Sequence, residues 1–173
     1  MSNHAFEKSV DGQGLYDITS RVSSVVTDSG VQDGLATVFI QHTSASLLIQ
    51  ENADPAVQAD LQNWLSRLVM ENDPLFTHTE EGPDDMPAHI KGALTAVQVA
   101  VPIMNGLLAL GTWQCIYLWE HRHGARVRSI IVNVMGDQLR SRVFPESRPS
   151  IFCARQDRGS YSKNIAADLC AFG

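Results

Sequence analysis

Most features that announce a function outright are missing from this 173-residue chain. No run reaches the roughly 18 to 20 apolar residues that cross a bilayer, and Met1-Ser2-Asn3-His4 lacks the basic and apolar regions of a secretion signal. A cytoplasmic protein without membrane attachment is expected. The three cysteines, Cys115, Cys153 and Cys170, form no C-x-x-C pair, which argues against both a disulfide framework and a thiolate zinc site. There is no glycine-rich phosphate loop of the Walker type, no G-x-S-x-G elbow to activate a serine, and no internal repeat. Basic charge is scarce as well. Of 13 Lys+Arg and 19 Asp+Glu, residues 1–138 hold 7 and 16, whereas residues 139–173 hold 6 and 3. So acidic a body lacks the positive surface that nucleic-acid phosphates require.

What is present fits one globular domain, 44% hydrophobic, with enough interior to fold without staples. Thr19 or Ser20 can cap a helix running to about Gln32, with Gly34 as its terminator. Leu35 to Ile40 and Ala45 to Ile49 read as strands, and Asp54-Pro55 opens a second helix on which Val57, Leu61, Trp64, Leu65 and Leu68 recur at helical spacing. A third helix is expected from Met86 to Val97, capped by Asp84 or Asp85, with Met86, Ile90, Ala93, Leu94 and Val97 as its buried stripe. Val99 to Ile103, Trp113 to Trp119 and Val127 to Val134 are β-rich runs separated by Asn105-Gly106, Gly111 and His123-Gly124. Helices and antiparallel strands together define an α+β domain over residues 1–138. Residues 139–173 show no sustained apolar period and are expected to form a poorly ordered tail.

Two polar segments stand at the edges of apolar runs. Gln41-His42-Thr43-Ser44-Ala45-Ser46 is one, and Glu81-Gly82-Pro83-Asp84-Asp85-Met86-Pro87-Ala88-His89-Ile90-Lys91 is the other. Half-buried imidazoles and carboxylates cost stability unless paired, hydrogen-bonded or bound to metal, so a shared polar pocket is expected. His42 ends a strand, His78 lies in the loop before the third helix, and His89 lies near that helix's start. Two or three imidazoles are the usual protein share of a zinc site with an open position, although three separate polar contacts would read the same way. Glu81 is the first candidate for general acid or base, and whichever of Asp84 and Asp85 does not cap the helix, Asp85 for preference, can orient a histidine. Thr43, Ser44, Lys91, Thr112 and Arg126, with Arg122 and Arg128, supply the hydroxyls and cations that hold a phosphate; arginines in a charged hairpin are also commonly solvated. His121 and His123 read as exposed turn residues. Trp113, Tyr117 and Trp119 share one strand face, as core or interface.

With Glu51-Asn52-Ala53-Asp54-Pro55 and Leu110-Gly111-Thr112-Trp113-Gln114, these segments resemble the YjbQ family, described as secondary thiamine-phosphate synthases, over roughly residues 6 to 137. The resemblance implies an antiparallel β-sandwich with flanking helices, a homotrimer, and a pocket near the subunit boundary. It implies that His42, His78 and His89 converge on a metal, zinc for preference and magnesium otherwise, beside which Glu81, His89 and Asp85 are the candidate catalytic groups. The implied reaction joins a pyrimidine diphosphate to a thiazole phosphate, releasing diphosphate. The rival expectation is a non-catalytic trimer that holds a metal or a phosphorylated metabolite.

Overall fold

The computed structural model describes residues 1–138, so the expectation for residues 139–173 lies outside the described residues. Eight strands and three helices follow in the order β1 (Ser2–Asp11), β2 (Gly14–Asp17), α1 (Thr19–Ser29), β3 (Val31–Ile40), β4 (Ala45–Glu51), α2 (Pro55–Leu68), α3 (Asp85–Leu94), β5 (Gln98–Met104), β6 (Leu107–Leu108), β7 (Gln114–Glu120) and β8 (Ala125–Gln138). They form two antiparallel sheets, one in the order β1-β8-β3-β5-β6 and one in the order β2-β7-β4. This is the expected α+β sandwich with flanking helices. The long strand β1 carries an even alternation of half-buried and exposed residues, a polar pattern that gave no apolar signal in the sequence.

The core lies where α1 meets the inner faces of both sheets. Val22, Val25 and Val26 of α1 pack with Ala36, Val38 and Ile40 of β3, Ile116 and Leu118 of β7, and Ile130, Val132 and Val134 of β8. Helix α1 ends three residues earlier than expected, at Ser29, because Gly30 takes the left-handed conformation (φ 69°) that terminates helices. Gly34 is no terminator. It lies inside β3 opposite Gly136, where an added Cβ would collide with the carbonyl oxygen of Met135, so this strand crossing admits only glycine.

Helix α2 starts as read, with Asp54 Oδ1 accepting the Ala56 N–H at 2.8 Å and Pro55 in the first turn. Helix α3 departs from its expected orientation. Its buried residues are Asp85, Pro87, Ala88, Lys91 and Gly92, while Leu94 is 60% and Val97 42% exposed. Of the expected stripe, Met86 and Ile90 are half-buried while Ala93, Leu94 and Val97 are exposed, and a polar, small-residue face lies against β4. Gly92 permits the approach, since a Cβ there would stand 2.8 Å from the Thr43 carbonyl oxygen.

Candidate metal centre and its charged surroundings

The inward rotation of α3 brings two acids under cover, and what receives them comes from the end of β7. Glu120 ends that strand, His121 and Arg122 follow it into the bend before β8, and all three are buried. Arg122 Nε donates to Asp84 Oδ2 at 2.9 Å, its Nη1 donates to Asp85 Oδ1, and its Nη2 donates to the Glu81 carbonyl at 2.7 Å. The His123 N–H also donates to Asp84 Oδ2, at 2.7 Å. Neither acid is therefore free to cap α3, which has no side-chain cap. Burial alone would raise the Asp84 pKa, but the hydrogen bonds from Arg122 and His123 and the guanidinium charge outweigh it and hold the carboxyl below its ordinary value. The same pairing, against desolvation, raises Arg122 above its own.

With Oδ1 of Asp85 held by arginine, Oδ2 faces two imidazoles. His78 Nε2 lies 2.7 Å and His89 Nε2 3.3 Å from it, and the two rings are 5.6 Å apart between centroids. One ligand atom from each of His78, Asp85 and His89 falls within 4.8 Å of the other two. Helical geometry explains part of this, because Asp85 and His89 are one turn apart on α3. The loop before the helix supplies His78. Two imidazoles and a carboxylate are a donor set that suits zinc with a position left open, so these residues fit the metal that the resemblance implied. Beside them, His78, Phe76, Met86, Pro83, Asn72 and Thr79 line a cavity of about 310 Å³.

His42 stands outside this set. Its Nε2 accepts the Ser129 N–H at 2.8 Å, and burial, then the charge of Arg128, lowers its pKa. A strand-end histidine is here a backbone acceptor, and Asp85 takes the third place in the cluster. Glu81 meets the centre through its carbonyl oxygen while its side chain is exposed.

The expected phosphate-binding residues do not converge either. Thr112 is exposed and precedes β7 at the end paired with Glu51, whereas Ser44 precedes β4 at the end paired with Glu120. Seven strand positions, roughly 20 Å, lie between them. Thr43 is exposed and Arg126 half-buried, the latter with its Nε lacking a partner among the described residues, while Ser44 accepts from Arg128 Nη2 at 3.1 Å. Arg128 is not solvated. It is buried and pairs with Glu120 through Nε at 2.5 Å and Nη2 at 2.6 Å.

The sequence reading missed His121 and Lys91's surroundings most. His121 is 1% exposed, its Nε2 lies 2.9 Å from Ser46 Oγ, and its ring stacks at an angle against Trp119. Burial, with the charges of Lys91 and Arg128, pushes its pKa down to about 3. Lys91 is 2% exposed, and burial lowers its pKa against the opposing pull of Glu71 and Asp84. The overlooked signal was continuity: the apolar run through Trp119 passes into Glu120-His121-Arg122 with no Gly, Pro or Asn before Gly124.

Two antiparallel sheets with a helix-borne histidine and carboxylate cluster define a small α+β protein with a candidate metal centre. Residues 5–137 match the family model described as UPF0047 protein YjbQ-like. The chain belongs to that family. It is 52% identical over 126 residues to a UPF0047 protein of Synechocystis, covering 73% of this chain and 86% of the relative. A UPF0047 protein of Methanocaldococcus jannaschii is 41% identical over 124 residues, covering 72% and 86%. Among solved structures, an uncharacterized conserved protein of the yjbq/upf0047 family from Clostridium acetobutylicum is similar at 38% identity and TM-score 0.68, covering 78% of this chain and all of that one. A conserved hypothetical protein from Thermus thermophilus is similar at 32% identity and TM-score 0.69, covering 76% and 99%. Among the described residues, no helix is long and apolar enough to cross a membrane.

Proposed function

We propose that this protein is a divalent-metal enzyme acting on small phosphorylated metabolites, with His78, Asp85 and His89 holding the ion, zinc for preference. The observation that carries this reading is the convergence of three potential ligand atoms within 4.8 Å of one another, one of them on a 2% exposed aspartate. Arg122 supports it by engaging the far oxygen of Asp85, which orients the near oxygen toward both rings.

The reaction suggested by the family resemblance is the joining of a pyrimidine diphosphate to a thiazole phosphate. The carbon–oxygen bond to diphosphate breaks, the diphosphate leaves with the electron pair, and the thiazole nitrogen forms the new bond to carbon. A bound divalent ion would supply electrostatic stabilisation of the departing diphosphate. Asp85 and His89 are the chain's groups nearest that chemistry, and Glu81, with its exposed side chain, stands at the rim. The metal is tested by chelating the full-length protein, restoring zinc and counting bound ions. About one ion per chain is expected, with affinity weakened at least about tenfold in Asp85→Asn and in His89→Ala but retained in His42→Ala. Absence of stoichiometric metal in the parent would overturn the reading. If metal binds but His89→Ala leaves product formation unchanged, the protein is a binding module.

A homotrimer is part of the same proposal. Support comes from the outer face of the five-stranded sheet, where exposed Pro102, Leu35 and Met135 lie side by side in register and Phe39 and Val127 extend the apolar surface. Such a face is what a subunit interface needs.

A further inference from the structure

His78 belongs both to the histidine and aspartate cluster and to the wall of the cavity of about 310 Å³ beside it, and that wall is unlike a phosphate site. Phe76, Met86 and Pro83 give it apolar surface, the first two half-buried. Asn72, Asp73 and Thr79 add polar groups, and no lysine or arginine is among the described residues that line it. Arg122, which holds Asp85, is shared with Asp84, so its charge already meets two carboxylates. With the Asp73 carboxylate in the wall as well, the cavity is an unfavourable place for an anion.

The loop before α3 is folded to present these groups. Glu71 is held by His123 Nε2 at 2.9 Å, and Asn72 then takes the left-handed conformation (φ 60°) that asparagine tolerates, turning the chain into Asp73. Asp73 Oδ1 accepts the Leu75 N–H at 2.9 Å, and the Asp73 carbonyl accepts the Phe76 N–H at 3.0 Å. Forming that turn uses one carboxylate oxygen. The other, Oδ2, has no hydrogen bond with any described residue. A spare anionic acceptor thus shares one cavity with a phenyl ring and a thioether.

Each of these features narrows the ligand. Ligand pockets span roughly 300 to 1,000 Å³, so a cavity at the small end takes about one ring with its substituents. Phe76 and Met86 suit the face of an aromatic ring, through stacking and through sulfur contact. A carboxylate oxygen favours a ring that carries N–H donors, because such hydrogen bonds are charge-assisted.

We propose that this cavity is the specificity pocket of the site, and that it receives a neutral, amino-bearing heteroaromatic ring of the phosphorylated metabolite. Asp73 accepts from the amino group, Phe76 and Met86 contact the ring, and the phosphate lies outside the cavity, toward the ion held by His78, Asp85 and His89. This deepens the reading of the protein as a metal enzyme acting on phosphorylated metabolites, on which it rests. It adds Asp73, Phe76 and Met86 as specificity-determining residues, none of which was among the expected site residues.

The test follows the ¹³C-labelled methionine methyl signals of full-length protein, with its bound zinc counted separately, as 4-aminopyrimidine is added. Met86→Leu identifies the Met86 signal by its disappearance. An aromatic ring displaces the resonance of a methyl group beside it, so saturable movement of the Met86 signal is expected, at the roughly millimolar concentrations that suit so small a ligand. Asp73→Asn keeps an oxygen for the Leu75 N–H and should weaken binding about fivefold, as should replacing the probe by 4-methylpyrimidine, which has the ring without an N–H. Phe76→Ala should weaken it at least as much, with zinc content unchanged in both variants. A Met86 signal that stays fixed as 4-aminopyrimidine rises would overturn the proposal. So would equal binding of the two pyrimidines, equal binding by Asp73→Asn, or the same response to glycerol phosphate, which has no ring. Should Phe76→Ala not fold, the parent and Asp73→Asn still decide. A zinc-free protein whose Met86 signal answers the probe would place the failure in the metal centre, and a zinc-loaded protein whose signal does not would place it in this pocket.

Discussion

A single imidazole shows how far burial can shift chemistry here. His121 in the folded chain holds no proton until the pH falls to about 3, whereas an unfolded histidine takes one up near pH 6.5. Between those values the unfolded chain binds the extra proton, so stability is complete above about 6.5 and falls as the pH drops toward 3. By about pH 4.5 the loss from this residue alone should reach roughly 2 to 3 kcal/mol. Urea unfolding of the parent and of His121→Gln at about pH 7 and about pH 4.5 measures it. The stability difference between the two proteins should shift by that amount in the variant's favour. Parallel pH dependence in the two would show that the ring is protonated in the folded state.

At the scale of an element, α3 is the decisive piece. Its sequence offers two faces, an apolar stripe through Ile90 and Leu94 and a face of small and charged residues, and the fold buries the second. Two interactions favour that choice. Arg122 satisfies both Asp84 and Asp85, which no solvent-facing arrangement would match in strength, and Gly92 allows the helix backbone to lie on the Thr43 carbonyl. Gly92→Ala should gain up to about 1 kcal/mol in helix propensity. Against that gain, the 2.8 Å contact is with backbone and cannot yield cheaply. A net destabilisation of about 1 to 3 kcal/mol is expected from overpacking, with weakened zinc uptake because Asp85 and His89 move with the helix. Unfolding curves and metal titration check both parts. A variant as stable as the parent would mean that α3 does not press on β4 as described.

For the whole molecule, the question is what covers the outer face of the larger sheet. Leu35, Phe39 and Met135 are 41%, 40% and 51% exposed, and they alternate with Ala36, Val38 and Val134, which are fully buried. Strands apolar on both faces normally have both faces covered. Leu35→Lys should therefore convert the expected trimer to monomer, as light scattering coupled to size exclusion would measure, with little change in the far-ultraviolet circular dichroism. A parent that elutes as a monomer at every concentration would remove the trimer.

The sequence alone determined the mixture of helices and antiparallel strands, the start of α2 at Asp54-Pro55, and the burial of Tyr117 and Trp119 on one face of β7, because each depends on local propensity and short-range periodicity. It also marked Asp85, His89 and Lys91 as worth attention. Three matters were left to tertiary structure. Strand β1 went unread because its pairing with β8, at the far end of the domain, supplies the order that its polar alternation does not advertise. The direction faced by α3 was misjudged because an apolar stripe predicts burial only when no stronger partner claims the opposite face. The run Glu120-His121-Arg122 looked solvated because charge near a turn usually is, and only folding places Asp84, Asp85, Ser46 and Arg128 where Arg122, Nε2 of His121 and Glu120 find their partners. Periodicity acts over a few residues, whereas the compensation of buried charge is decided by whichever distant groups the fold brings within hydrogen-bonding reach.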